Sequence, residues 1–172
     1  LKVKVNPDKT KVGSPLRLKF LGFSLGVDRN GAYTRPANQS QQRVKQALKL
    51  LTKHNRGVSL IKMFEEIHQK MRGWLQYYSI GKLANFIHRL DQWLRARIRQ
   101  YIWKQWKKFK TKVTNLQKLG LSYRDAYVFA STRKGYWRTA HSKTLNYSLT
   151  NRKLEHLGLI NLSKTLQSIQ SD

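Results

Sequence analysis

The sequence contains no cysteine, so neither a disulfide framework nor a thiolate zinc site can organise this chain. Carboxylates are scarce, with eight Asp and Glu against 35 Lys and Arg. They are also scattered. The one adjacent pair, Glu65 and Glu66, reads as helical, and neighbours on a helix point in different directions. Two-metal phosphoryl transfer needs clustered carboxylates, and none are in view. The five His lack ligand spacing with acids, and His141 and His156 stand alone. There is no Gly-rich phosphate loop ending in Lys-Ser/Thr. No catalytic residue, metal site or cofactor is therefore expected in this chain. No apolar run approaches the ~20 residues of a membrane span, and the first residues have no apolar, signal-like core. A cytoplasmic or organellar location, without secretion or a membrane partner, is the expectation. The first residue is Leu rather than Met, which reads as a fragment of a longer product.

What the chain does have is positive charge and aromatic bulk. The formal net charge is +27 on 172 residues. Solubility alone asks for a magnitude of about 2–8 in a small domain, so the excess calls for an anionic partner. Apolar residues make up 40% of the chain, with five Trp, eight Tyr and six Phe. That is enough to build a core, and it sets the chain apart from a disordered basic tail. A folded, strongly basic domain points to nucleic acid, most directly to structured RNA.

The periodicity divides the chain at Arg35–Asn38. Before it, Leu1-Lys2-Val3-Lys4-Val5 alternates as a strand does, Asn6-Pro7-Asp8 is turn chemistry, and Leu16–Leu25 is a second strand candidate with Gly22 inside it. Asp28-Arg29-Asn30-Gly31 suits a tight turn, with Ala32–Thr34 returning as a short strand. After Pro36 the pattern turns helical. Ser40 is the expected N-cap of a helix to about His54, with Val44, Leu48 and Leu51 on one face. Ser59 caps a second helix with the stripe Ile61, Phe64, Ile67, Met71, Leu75 and Tyr78. A long third helix is expected from about Leu83 to Lys110, its stripe running Leu83, Phe86, Ile87, Leu90, Leu94, Ile98, Tyr101 and Ile102. Beyond Gly120 the elements shorten: a helix near Tyr123–Ser131, an irregular stretch at Gly135–His141, and helices near Asn151–His156 and Leu162–Ser168. The fold class is mainly α, a helical bundle preceded by a short antiparallel β-hairpin, with units at 1–36 and 37–172.

The third helix and its exit carry the densest charge. From Gln92 to Arg124 there are ten cations and no carboxylate: Arg95, Arg97, Arg99, Lys104, Lys107, Lys108, Lys110, Lys112, Lys118 and Arg124. Like charges at this density destabilise a helix unless an anion neutralises them. Guanidinium forks suit phosphate oxygens. The aromatics between them (Trp93, Tyr101, Trp103, Trp106 and Phe109) are expected in the core for the most part, with base stacking as the alternative. Arg72-Gly73-Trp74 with Tyr77-Tyr78 forms a second cluster. Gly73 inside a helix costs ~1 kcal/mol against Ala; a close helix crossing is the expected return, and a close approach of RNA backbone the other. Trp74 and Tyr78 share a face and read as core, whereas Arg72 is a phosphate-contact candidate. Gly135-Tyr136-Trp137-Arg138 reads as a turn, either presenting an aromatic beside a cation or plugging a bundle with Trp137. Arg133, Lys134 and Arg138 form a basic patch around it.

Taken in order, these pieces resemble the C-terminal part of group II intron reverse transcriptases. Val5-Asn6-Pro7-Asp8-Lys9-Thr10 and Phe20-Leu21-Gly22-Phe23 are similar to the last palm motifs. Arg72-Gly73-Trp74, Tyr77-Tyr78, Leu90-Asp91-Gln92-Trp93-Leu94-Arg95, Trp103-Lys104-Gln105-Trp106-Lys107 and Gly135-Tyr136-Trp137-Arg138 resemble the maturase-specific domain, also called thumb or X domain. The resemblance implies that Lys9 lies near an incoming nucleotide, and that Phe20, Leu21, Gly22 and Phe23 form a primer grip. It implies that the helical remainder binds intron RNA, promotes its splicing and holds an RNA–DNA template–primer duplex. The family's paired catalytic aspartates would lie before Leu1, so this chain alone is not expected to polymerise DNA, and a divalent metal is expected only in that palm site. Two other readings stand beside this one: a subunit of a split reverse transcriptase that works with a separate palm, and a stand-alone basic RNA-binding protein.

Overall fold

A computed structural model describes residues 13–171. The strand expected at Leu1–Val5, the turn at Asn6–Asp8 and Lys9 lie outside the described residues. A three-stranded antiparallel sheet comes first: β1 (Lys19–Phe20), β2 (Phe23–Asp28) and β3 (Gly31–Pro36), neighbours in that order. Leu16–Leu25 is therefore not one strand. Pro15–Arg17 forms a 3-10 turn, and the chain reverses at Leu21-Gly22, where both residues have positive φ (48° and 81°). Gly22 is what permits the reversal, and it is also wedged. Its carbonyl accepts from Ala37 N (2.8 Å) and Ser40 Oγ (3.0 Å), and a Cβ there would strike Tyr78 Oη. The reversal at Asp28–Gly31 forms as the Asn-Gly pair predicts, with Asp28 accepting from Asn30 N (2.9 Å).

Nine helices follow among the described residues. They are α1 (Asn38–Leu51), α2 (Leu60–Tyr78), α3 (Ala84–Gln105), α4 (Phe109–Lys118), α5 (Tyr123–Ala130), α6 (Tyr136–Ala140), α7 (Lys143–Ser148), α8 (Asn151–His156) and α9 (Leu162–Ser171). Helix α1 starts two residues before the expected cap. Ser40 lies inside it, turned towards the hairpin, so the N-cap position falls to Ala37. Ser59 caps α2 as expected, accepting from Lys62 N at 3.2 Å. The α2 stripe is shifted at its start: Ile61 is exposed and Met63 is buried in its place. Gly73 is exposed, with no atom near the place of a Cβ, so the expected close helix crossing is not there.

The helix expected at Leu83–Lys110 is two helices. Backbone at Trp106 leaves the helical region (ψ 65°), and Trp106 packs on Trp103 with ring centroids 5.9 Å apart. Neither Gly nor Pro marks this break, so the sequence offers no local signal for it. Gly135–His141 is not irregular either. It holds the short helix α6, anchored by buried Thr139 and Ala140, and α7 follows where no helix was expected.

Helix α3 is the centre of the bundle. Eight of its ten residues from Leu94 to Trp103 are buried, so it is covered on most sides rather than along one stripe. The sheet is held to this bundle through α2. The Phe23 ring sits 5.6 Å from Tyr77 and 4.9 Å from Tyr78, and Tyr77 Oη donates to Leu21 O (2.8 Å). At the other end Lys82 pairs with Asp28 and its N–H donates to Thr34 O (2.7 Å). Gly22→Ala is expected to strain the backbone and lever the hairpin off Tyr78, costing at least about 1 kcal/mol. Urea denaturation of the two proteins measures this cost.

Candidate nucleic-acid interface

The cations of α3 divide into two groups. Arg95 and Arg99 face the interior, 2% and 6% exposed. Arg95 donates to Asp91 Oδ2 (2.6 Å), Asn151 O (3.1 Å) and Glu155 Oε1 (3.0 Å). Arg99 donates to Leu149 O (2.9 Å) and Asn151 Oδ1 (2.8 Å). Burial, reinforced by repulsion from Arg95, pushes the Arg99 guanidinium down to about 10, so it remains charged at neutral pH. Both arginines spend their forks tying α3 to the α7–α8 region. This corrects the expectation that they contact phosphate, and the cause is the engulfment of α3. Arg97, one residue between them, is half-buried. It donates to Thr52 Oγ1 (2.7 Å), Lys49 O (3.3 Å) and Thr52 O (3.2 Å), and so closes the C-terminus of α1 while lying at the surface.

A groove between α1 and α3 gathers charge that the linear sequence does not single out. Val44 and Leu48 turn one face of α1 into the core, which leaves Gln42, Arg43, Lys45, Gln46 and Lys49 on its outer side. These residues, with Gln39, line a cavity of about 660 Å³ together with Trp93 and Arg97 of α3 and Trp137 of α6. The groove continues into a second cavity of about 350 Å³, which shares Gln42, Lys45 and Trp93 and adds Arg89 and Phe86. No carboxylate lines either cavity. Trp93 lines both cavities, with Lys45 Nζ 5.3 Å and the Arg97 guanidinium 5.6 Å from its ring. Beyond the groove, His54 is held below its ordinary pKa by burial and by the charges of Lys104, Arg97 and Lys53. The positive field thus extends along the α1–α3 seam to the end of α3. One signal could have found this face: no Asp or Glu occurs between Asp28 and Glu65.

The other expected contacts spread around the molecule. Lys104 lies over the Tyr136 ring (5.6 Å) and Lys112 over Trp103 (4.7 Å). Lys107, Lys108 and Lys110 are exposed at the α3–α4 corner beside Phe109, and Arg72 is exposed on the outer face of α2. Arg133, Lys134 and Arg138 lie around α6, with Lys134 in a cleft between α5 and α7 rather than in the groove. Trp137 is 41% exposed and plugs nothing. Of the expected core aromatics, Tyr101 and Trp103 are buried, Trp93 and Trp106 pack partly buried against the core, and Phe109 is exposed. At the hairpin tip Phe20 and Leu21 are exposed, while Gly22 and Phe23 are packed on α2. Among the described residues no three His, Cys, Asp or Glu side chains come together as a metal site would require. No helix among them is long and apolar enough to cross a membrane.

Residues 41–120 match the family model described as the group II intron, maturase-specific domain. This segment is similar to that domain. No curated protein matches the chain. The maturase-specific segment begins inside α1 and ends at Gly120 after α4, so it carries the groove residues Arg43 to Lys49, Trp93 and Arg97, while Trp137 lies beyond it.

The interior arginines make the maturase-specific segment dependent on the helices after it. Arg95→Met should leave Asp91 and Glu155 without their buried cation and cost about 3–5 kcal/mol, read by thermal or urea unfolding. Glu155 adds a pH dependence. Burial raises its pKa, but hydrogen bonds from Asn161 and Lys164 and the charges of Arg95 and Lys164 outweigh burial and hold it below 4.5. A carboxylate depressed in the fold contributes stability above its unfolded pKa and loses it as pH falls through the folded value. Unfolding free energy should therefore decline below about pH 4.5, and the decline should be shallower in Glu155→Gln.

Proposed function

We propose that this chain binds intron RNA, and that it promotes splicing by holding the RNA in its active fold while the chemistry stays with the RNA. The carboxylate-free groove between α1 and α3 carries the reading, because its concave wall presents Arg43, Lys45, Lys49, Arg89 and Arg97 without an acid to neutralise them. The maturase-specific match supports intron RNA as the partner. Binding by phosphate neutralisation releases counterions, which makes affinity fall steeply with salt. The exposed lysines at the α3–α4 corner extend this surface, whereas Arg95 and Arg99 support it from inside. The reading assigns the chain no metal or cofactor of its own.

The same chain also suits a role beside a reverse transcriptase palm. The observation that favours this is the hairpin, whose tip is fastened by Tyr77 and Tyr78 while Phe20 and Leu21 remain uncovered. A template–primer duplex and the remainder of a palm are the partners such a tip would take, and the paired aspartates and metal of polymerisation would belong to that palm.

Removing the groove cations together in Arg43→Ala/Lys45→Ala/Lys49→Ala should weaken intron RNA binding and flatten its salt dependence. The log–log slope should drop by about two to three, at roughly 0.7–0.9 for each phosphate that is no longer neutralised. Binding isotherms across a salt series measure both quantities. Affinity that does not change with salt would overturn the mechanism, as would a triple variant with an unchanged slope.

A further inference from the structure

We propose that the α1–α3 groove is a pocket for a single unpaired nucleotide of the bound RNA, with its base stacked on Trp137 and its edge met by Gln42 and Gln46. This inference rests on the RNA-binding reading and adds what the groove selects. Phosphate neutralisation alone needs only cations on a surface. This groove has more: a cavity of about 660 Å³, within the range of small-ligand pockets, lined by two indoles and a row of amides.

Trp137 is the natural stacking partner. Its indole stays 41% exposed although the short helix beneath it is firmly anchored through buried Thr139 and Ala140. His141 packs against it in an edge-on arrangement at 4.5 Å, which fixes the ring orientation. Trp93 is less available, because Lys45 and Arg97 already lie over it. The amides are placed for an edge. Gln42 and Gln46 are four apart on α1, so they share a face. Their neighbours are spent: Gln41 donates to Pro36 O (2.9 Å), and Gln39 accepts from Lys19 (2.9 Å). Among the described residues no intramolecular hydrogen bond engages the side chain of Gln42 or Gln46. An amide offers one donor and one acceptor side, the pattern that base edges complement, and such edges are reachable in RNA where a base is splayed out of a helix. Arg43 and Lys49 stand beside them to neutralise the flanking phosphates. A continuous duplex cannot use this pocket, because its bases are stacked inward and its major groove is deep and narrow.

The test compares two short RNA hairpins that differ only by one bulged 2-aminopurine. The full chain should bind the bulged hairpin more tightly, and 2-aminopurine fluorescence should fall on binding. Trp137→Ala should lose about 5- to 140-fold affinity for the bulged hairpin and none for the paired one, while Trp137→Phe keeps a ring and recovers part of the loss. Gln42→Leu/Gln46→Leu should lower affinity for the bulged hairpin alone. Equal affinity for the two RNAs would overturn the pocket and leave the RNA-binding reading standing, as would an equal loss on both in Trp137→Ala. Failure to bind either hairpin would remove both.

Discussion

The ion network around Arg95 is the constraint from which the arrangement of the bundle follows. A guanidinium that is 2% exposed has to be paired, and Arg95 finds Asp91 one turn back and Glu155 and Asn151 on α8. Arg99 repeats the pattern on Leu149 and Asn151. Because both arginines reach to the C-terminal helices, the position of α3 is tied to residues some fifty positions later in the chain. Breaking such a pair leaves a charge stranded in a low dielectric, which is far costlier than breaking a surface pair. The network also determines which cations are left for a ligand. Two of the most central arginines are withdrawn into the fold, and the free charge moves to α1, to the α3–α4 corner and to the surroundings of α6.

That redistribution links packing to function. Helix α1 buries Val44 and Leu48 and can then offer only its outer side, which is basic and amidic. Helix α6 buries Thr139 and Ala140, which turns Trp137 outward to the same groove. Arg97 sits at the junction, capping the end of α1 and facing the Trp93 ring. A concave basic wall with an aromatic at its side is suited to a nucleic-acid strand with an unstacked base, whereas a flat lysine ridge suits only a backbone.

Much of the architecture was legible from periodicity. The α2 stripe from Phe64 onward, the α3 stripe, the Ser59 cap, the Asn30-Gly31 reversal and the span of α8 all follow from apolar spacing and turn chemistry. The misses have physical causes. The break at Trp106, where ψ reaches 65°, is marked by neither Gly nor Pro, the residues that signal a helix end in a sequence. The split of Leu16–Leu25 hinges on Leu21 taking a positive φ that few non-glycine residues adopt. Gly73 shows the converse, since its helix-weakening position is plain in the sequence while the crossing expected there is absent. The site was half legible. The charge and its lack of acids point to phosphate, but linear density singles out α3, whose Arg95 and Arg99 are buried, and passes over the basic outer side of α1.

By itself the sequence determined that the chain is a basic, helix-rich, cysteine-free domain with a hairpin ahead of it, and that its charge needs an anionic partner. These properties depend on composition and on spacing along one element, which folding does not alter. Only the tertiary structure decided which cations face outward. That outcome depends on how many sides of each helix its neighbours cover, and for α3 the covering helices come from the far end of the chain.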